Sequence, residues 1–490
     1  MTGGRVALLA LWTIHLSAAP LAQEIARLVD SSPSGERAFW GIQIADLSSG
    51  KTLYARNAGR LFVPASNVKL FTLALALSRL GPEYRFQTRV LAEAAPDAEG
   101  RVRGGLRLVG GGDPNLSGRA IPYRTGANAG NPLAAIEALA EQVVARGVKR
   151  VEGGIVGDDT GYVWEPYPEG WAVDDTPYDY GAPVSALTVN DNSITLTVRP
   201  GTRAGDLAEL GSNPPLEYYT IDNRVETVGA RGARKIHVER QPGSRQVRLW
   251  GTIPVRGAGE DVLLAMDDPA EYAALALHRA LEERGVTVEG GSRARHRFAN
   301  ENVEPSDDGG VELARLDSAR LIEDLRITAK VSQNLHAELA LRAVGRGRRN
   351  DGSREAGLEE MKTFLGEVGI EEDAYHFNDG SGLARRDLVT PAAILGLLRF
   401  MYSSPQREDW IGLLPVGGRD GTLDTRFSTG PAAGRIHAKT GTLAHVSALS
   451  GYAERRNGRW VAFSILVNNY SGPAADVRGV MDRICALIVE

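Results

Sequence analysis

The spacing of apolar positions changes character several times along the chain. From Gly41 to Asn57, GIQIADLSSGKTLYARN alternates on both sides of Ser48-Ser49-Gly50-Lys51, which predicts a hairpin. The next stretch, Leu61 to Pro82 (LFVPASNVKLFTLALALSRLGP), is apolar almost throughout. Its stop at Gly81-Pro82 predicts a buried helix opened by Ser66 after Pro64-Ala65. From about Phe86 to Leu313, short strands, glycine clusters and prolines take over. Within them ALAEQVVARGVKRVEGG and ALALHRALEERGVTVEGG repeat one design: an alanine-rich helix closed at Arg-Gly-Val and returned into a strand at Val-Glu-Gly-Gly. Helical spacing returns near Leu316, in DSARLIEDLRITAKVSQNLHAELALRAVG, SREAGLEEMKTFLGEVG and the proline-started TPAAILGLLRFMYSS. The end alternates again through GRIHAKTGTL and VSALSGYAERRNGRWVAFSILVNN, around an Asn457-Gly458 turn. It closes on the helical PAADVRGVMDRICALIVE. The outline is an α/β domain built from both ends of the chain around a long β-rich insertion.

Length and charge narrow the picture. A chain of 490 residues exceeds one compact core, so two or three domains are expected. A net charge of -5 gives no electrostatic footprint for nucleic acid. Cys485 is the only cysteine, which excludes a disulfide framework or a cysteine zinc site within one chain, and it reads as a buried small apolar residue. Ahead of the hairpin, Arg5 precedes an apolar run from Val6 to Leu16 and then small residues, the order of a secretory signal, with cleavage placed near Ala22. The run is short for a membrane span, so at most peripheral membrane contact is expected of the mature protein.

The opening helix then raises a chemical question, because it keeps a lysine in an apolar run. One helical turn separates Ser66 from Lys69, so the two side chains share a face. A lysine held among apolar residues loses hydration, its pKa falls, and a neutral amine beside a hydroxyl activates a serine without histidine. Ser48 and Lys51 have the same spelling, but in a glycine turn where the amine stays solvated. Ser332 is the one serine followed two residues on by asparagine, Asn334, and Lys439 the one lysine followed by Thr440-Gly441. In the order S-x-x-K, S-x-N, K-T-G these form the three-motif set of serine acyl transferases.

With those motifs in place the chain resembles the low-molecular-mass penicillin-binding proteins that act as D-alanyl-D-alanine carboxypeptidases and endopeptidases, in the branch with a large insertion between the first two motifs. LVGGGDPNLSG, IVGDD, NDGSGLARRD and AKTGTL also resemble that branch. The resemblance implies an α/β (α+β) penicillin-binding, serine β-lactamase-like transpeptidase domain with an antiparallel sheet flanked by helices, plus one or two inserted β-rich domains. Residues 1–22 are expected to be the signal, and 23–85 with 314–490 the catalytic domain. An inserted domain is expected over 86–111 with 186–313, and a second one, nested in it, over 112–185.

Carried over, Ser66 is the acylated nucleophile and Lys69 its base; Ser332 relays a proton to the leaving amine; Asn334 holds the substrate backbone. Lys439 sets the electrostatics, and Thr440, Gly441 and Thr442 receive the terminal carboxylate. Backbone N–H groups of Ser66 and Thr442 form an oxyanion hole worth about 3–4 kcal/mol. Asp175, in GWAVDDTPYDYG, meets the far amine of the peptide stem. The implied partners are peptidoglycan stem peptides and β-lactam antibiotics, with no nucleic acid, cofactor or metal, and with oligomeric state open.

Other chemistry is less well supported. DGSGLA around Ser381 has Asp379 where a nucleophile elbow needs glycine, and reads as a turn supporting the site. No histidine has metal-ligand spacing. His336 and His437 stand close to the second and third motifs, yet a Ser-His-Asp triad accounts for less of the pattern. A β-lactamase would need a deacylation base, and no E-x-x-L-N segment follows the second motif. A non-catalytic peptidoglycan-binding protein on the same fold would have no need of three intact motifs.

Overall fold

Strands from both ends of the chain build one antiparallel sheet, in the order Ile436–Leu443, Val446–Glu454, Trp460–Asn468, Phe39–Asp46, Thr52–Arg56. The computed structural model describes residues 18–32, 37–127, 130–215, 217–301 and 309–490. The expected signal run Val6–Leu16 lies outside the described residues. Beyond the expected cleavage point, Ile25 and Val29 of the helix Ala18–Asp30 are buried against the sheet.

Alternation explains how two layers of helices share that sheet. Trp40, Ile42 and Ile44 point to one face with Phe463, Ile465 and Val467, under the helices Ala18–Asp30 and Ala474–Val489. Ala45, Ala448, Ala462 and Leu466 point to the other, into a helical half that contains Val68–Leu80, Leu321–Lys330, Asn334–Arg349, Arg354–Val368 and Pro391–Ser403. Both hairpins fall where the sequence predicts them. The Ser48–Lys51 turn has Gly50 at φ 69° and the Asn457-Gly458 turn has Gly458 at φ 78°. Cys485 is buried in the closing helix.

Two local expectations need correction. The opening helix proper starts at Val68; Ser66 lies in the 3-10 turn Ala65–Asn67 that precedes it. The stretch 317–345 is two helices rather than one, because Ser332, at φ 63°, breaks it between Lys330 and Asn334.

The insertion leaves and returns through adjacent strands, Gln87–Ala92 and Val311–Asp317, paired antiparallel at one side of a second sheet. That sheet continues through Leu106–Val109, Ile155–Val163 and Ser292–Arg297, the last three parallel. Here the nested second domain over 112–185 is corrected. Ile155–Val163 lies between strands from the two stretches outside it. The helix Ala134–Ala145 also shares one apolar core with Pro269–Glu282, through Ile136, Leu139, Leu277 and Leu281. One interleaved core therefore spans the boundary placed at 112 and 185.

The repeated design is real and has a third copy. Val102-Arg103-Gly104-Gly105, Val151-Glu152-Gly153-Gly154 and Val288-Glu289-Gly290-Gly291 each join a short parallel strand to a strand of the second sheet. At these crossings a Cβ on Gly105 would come within 2.5 Å of Gly154 O, and one on Gly154 within 2.0 Å of Gly291 O. Only glycine permits backbones to approach that closely.

Candidate active site

The first motif is held by contacts distant in sequence. Ala65 precedes Ser66 at φ 49°, a costly conformation for a residue with a Cβ. Two glycines press on this turn. A Cβ on Gly382 would sit 1.9 Å from Ala65 O, and one on Gly441 would meet Pro64 O at 2.7 Å and Ser66 N at 3.1 Å. Asn67 Nδ2 donates to Lys439 O at 3.1 Å, which ties the turn to the third motif.

Lys69 is fully buried, its Nζ 3.0 Å from Ser66 Oγ, 2.6 Å from Asn334 Oδ1 and 2.6 Å from Ser381 O. Burial pushes the amine down to about 7, against the opposing pull of Asp379, Glu338 and Asp387. A neutral amine has two N–H groups and one lone pair. The Asn334 and Ser381 oxygens can take the two N–H groups, which leaves the lone pair directed at Ser66 Oγ.

Lys439, also fully buried, donates to Ser332 Oγ at 2.7 Å and to Thr440 O at 2.8 Å. Burial, together with the positive charge of Lys69, lowers it well below an ordinary lysine. Its strand, Ile436–Leu443, is at the edge of the sheet, and the Pro415–Gly417 segment covers the outer side of only its first residues, Ile436–Ala438. Thr440 Oγ1 donates to Thr422 Oγ1 at 2.8 Å. A cavity of about 180 Å³ adjoins Thr440, Gly441 and Thr442, with Arg426 and Arg478 in its wall.

The second motif closes the ring. Ser332 meets Lys439 while Asn334 meets Lys69, and Asn334 Nδ2 donates to Tyr180 O at 2.8 Å. Tyr180 stacks on Tyr178 with its side chain beside Asp175, so Asp175 lies one side chain beyond the Asn334–Tyr180 contact. Burial raises the Asp175 carboxyl above its usual range. A cleft of about 540 Å³ opens beside Ser332 and Asn334, walled by Arg119, Tyr123, Tyr180 and Asp191.

Beneath Lys69 is a layer of acids that the sequence reading missed. Asp379 organises the DGSG turn by accepting from Ser381 N, Gly382 N, Ala384 N and Trp171 Nε1. Ser381 Oγ donates to Asp379 Oδ2 at 3.0 Å, so its hydroxyl is committed to the turn and its carbonyl serves Lys69. Burial and the neighbouring Asp379 hold the Asp387 carboxyl well above its usual range. Glu338 accepts from Gly380 N at 2.8 Å, pairs with Arg342, and is pushed up to about 7 by burial. The available signal is weak: Glu338 and Arg342 are one turn apart among the apolar residues in the middle of their helix.

Neither histidine is bonded to Ser66. His336 is buried between Asp191 and Asp324, and His437 packs on Trp460, pushed down to about 4 by burial and by Lys330 and Arg419. Among the described residues no cluster of histidine, cysteine and carboxylates could hold a metal ion. No helix there is long and apolar enough to cross a membrane.

Comparison with known proteins points the same way as the geometry. The profile of the D-Ala-D-Ala carboxypeptidase 3 (S13) family matches residues 21–487. A D-alanyl-D-alanine carboxypeptidase of Actinomadura sp. (strain R39) is 36% identical over 470 residues, spanning 94% of this chain and 82% of the relative. The D-alanyl-D-alanine carboxypeptidase DacB of Haemophilus influenzae is 23% identical over 452 residues, or 91% of this chain and 88% of the relative. In three dimensions the chain is similar to the crystal structure of penicillin binding protein 4 from Haemophilus influenzae. The TM-score is 0.81 at 22% identity, covering 95% of this chain and 98% of that one. That protein complexed with a β-lactam matches with a TM-score of 0.75 at 21% identity, with the same coverage. The folds correspond across catalytic part and insertion alike.

Proposed function

The chain belongs to the D-Ala-D-Ala carboxypeptidase 3 (S13) family, a serine DD-peptidase family, and on that premise we propose the residues that carry the reaction. Ser66 is the nucleophile. As its Oγ attacks the carbonyl carbon of the penultimate D-alanine, its proton passes to the Lys69 lone pair. The carbonyl oxygen, now negative, is received by the backbone N–H groups of Ser66 and Thr442. Collapse breaks the C–N bond, and the leaving amine takes a proton through Ser332, backed by Lys439. The Ser66 ester is then hydrolysed by water, returning the free hydroxyl and the shortened stem peptide. A β-lactam follows the same first steps, but its leaving amine stays tethered to the acyl group.

The observation that carries this reading is the Lys69 amine, buried, with both N–H partners supplied and 3.0 Å from Ser66 Oγ. Thr440 and Thr442, at the cavity beside Arg426 and Arg478, suit the terminal carboxylate. Asp175, at the rim beyond Tyr180, suits the far amine of the stem. The Arg5 and Val6–Leu16 pattern supports export to the compartment where peptidoglycan lies. The test combines hydrolysis of an acyl-D-Ala-D-Ala peptide with fluorescent penicillin labelling and mass mapping of the adduct. We expect turnover and one adduct, on Ser66; an adduct on another residue would remove the assignment.

A further inference from the structure

The insertion reaches the second motif directly at Tyr180 O, which accepts from Asn334 Nδ2, and also through one carboxylate. Asp191 is the middle of Asn190-Asp191-Asn192, three successive residues at φ 50°, 54° and 51°. Left-handed backbone at non-glycine residues persists only where the surroundings fix it. Here they do: Asn190 Nδ2 donates to Ser193 O at 2.8 Å, Asn192 Nδ2 donates to Pro183 O at 2.9 Å, and Asn192 Oδ1 accepts from Val189 N at 3.1 Å. The constrained loop presents the Asp191 carboxylate to the catalytic part. Gln333 Nε2 donates to its Oδ2 at 2.9 Å, His336 Nε2 to its Oδ1 at 3.1 Å, and Arg119 forms an ion pair with it.

Those two partners flank Asn334. Gln333 lies between Ser332 and Asn334, and its Oε1 accepts from Leu335 N at 3.3 Å to cap the helix Asn334–Arg349. His336 is gripped from its other side by Asp324, with Nδ1 2.7 Å from Oδ1. Ser332 itself is at φ 63°, so the turn that carries the motif needs external restraint.

We propose that Asp191 is a positioning residue: by holding Gln333 and His336 it fixes the Val331–Asn334 turn, so that Ser332 Oγ meets Lys439 and Asn334 Oδ1 meets Lys69. The insertion thereby completes the active site. This rests on the assignment of Ser332 and Asn334 above, but its test separates the two.

An internal control exists. Asp159 is a second buried carboxylate bound to a histidine held between two acids: His296 Nδ1 is 2.9 Å from Asp159 and its Nε2 is 3.2 Å from Asp268, while Ser185 Oγ donates to Asp159 at 2.8 Å. None of these partners belongs to the three motifs. The full-length protein is measured for penicillin acylation rate, kcat and KM on an acyl-D-Ala-D-Ala peptide, and Tm. Asp191→Asn should lower acylation and kcat by about tenfold and Asp191→Ala by about a hundredfold, the scale of sub-ångström to ångström misplacement, with KM nearly unchanged. Asp159→Asn should lower Tm and leave acylation within about twofold of wild type, since what it loses is stability alone. If Asp191→Ala does not fold, Asp191→Asn decides. Acylation of Asp191→Asn at the wild-type rate, or losses that merely track Tm in both carboxylate variants, would overturn the inference and leave the Ser66 assignment standing. A wild-type adduct away from Ser66 would overturn both.

Discussion

Ser48 to Lys51 and Ser66 to Lys69 share the four-letter spelling S-x-x-K and almost nothing else. In the first, Asp46 Oδ1 accepts from both the Ser48 and Ser49 hydroxyls, at 2.6 and 2.8 Å, and from the two backbone N–H groups. The serines close a turn, and Lys51 points to solvent. In the second, the serine hydroxyl faces an amine with no exposed surface, held by an asparagine from one helix and a carbonyl from a distant turn. Spacing brings serine and lysine together in sequence. Dehydration lowers the lysine, and with its two N–H groups taken its lone pair is free for the base role proposed here.

The sharpest way to break the comparison is to remove each hydroxyl. Ser66→Ala should abolish the penicillin adduct, scored by gel fluorescence and intact mass, with Tm near wild type because little packing changes. Ser48→Ala should label at the wild-type rate. Next in size is the base. Lys69→Arg keeps length and charge but does not deprotonate in a protein, so acylation should fall by about 10²–10⁴-fold. Lys51→Arg should change nothing in the same stopped-flow assay, and equal rates in the two arginine variants would remove Lys69 from the mechanism.

Each serine also has a glycine beside it, which gives a smaller and graded test. Gly382→Ala places a Cβ 1.9 Å from Ala65 O at φ 79°, so the Ser66 turn must shift; acylation should drop by about tenfold or more. Gly50→Ala, at φ 69° against the flexible end of Arg399, should cost only about 1 kcal/mol of stability in denaturant unfolding, with acylation intact.

The smallest expected effect is in pH. The reactive form of Lys69 is neutral, so acylation should rise with pH to a plateau, with its midpoint near the value of about 7 to which burial lowers the amine. Glu338, its own carboxyl pushed up to about 7, raises Lys69 in the fraction of molecules where it is ionised. Glu338→Gln should therefore move the midpoint toward lower pH and raise the rate by a few-fold at most below neutrality. A midpoint that stays put, or moves up, would mean that Glu338 does not act on Lys69 through charge.

Much of this molecule could be read from local pattern. Hairpin turns at Gly50 and Gly458, and the capped starts of the helices after Ser353 and Thr390, follow from side chains within a few residues of each other. The same locality made the three motifs findable, since Ser66 with Lys69, Ser332 with Asn334 and Lys439 with Thr440 are each one turn or one strand step. What stayed hidden was non-local. Periodicity ran unbroken through Ser332, and the turn there is tied to contacts of Ser332, Gln333, Asn334 and His336 with residues distant in sequence. Asp379 looked like a damaged motif because its role is to accept backbone N–H groups, which leaves no spacing rule. Two of the three Val-x-Gly-Gly copies follow an alanine-rich helix; the third has no such helix before it, and only its pairing in the sheet reveals it.

The sequence by itself therefore determined the family, the reaction class and the residues of the three motifs, because each motif is a short run whose chemistry needs neighbours in order. Only the tertiary structure decided how those runs meet. It set the dehydration that lowers Lys69, the acids beneath it, the edge strand that brings Gly441 against Ser66, and the interleaved core of the insertion. The physical reason is that burial and electrostatic coupling depend on distance in space, and residues such as Asp191 and His336, far apart in the chain, touch only after the fold has closed.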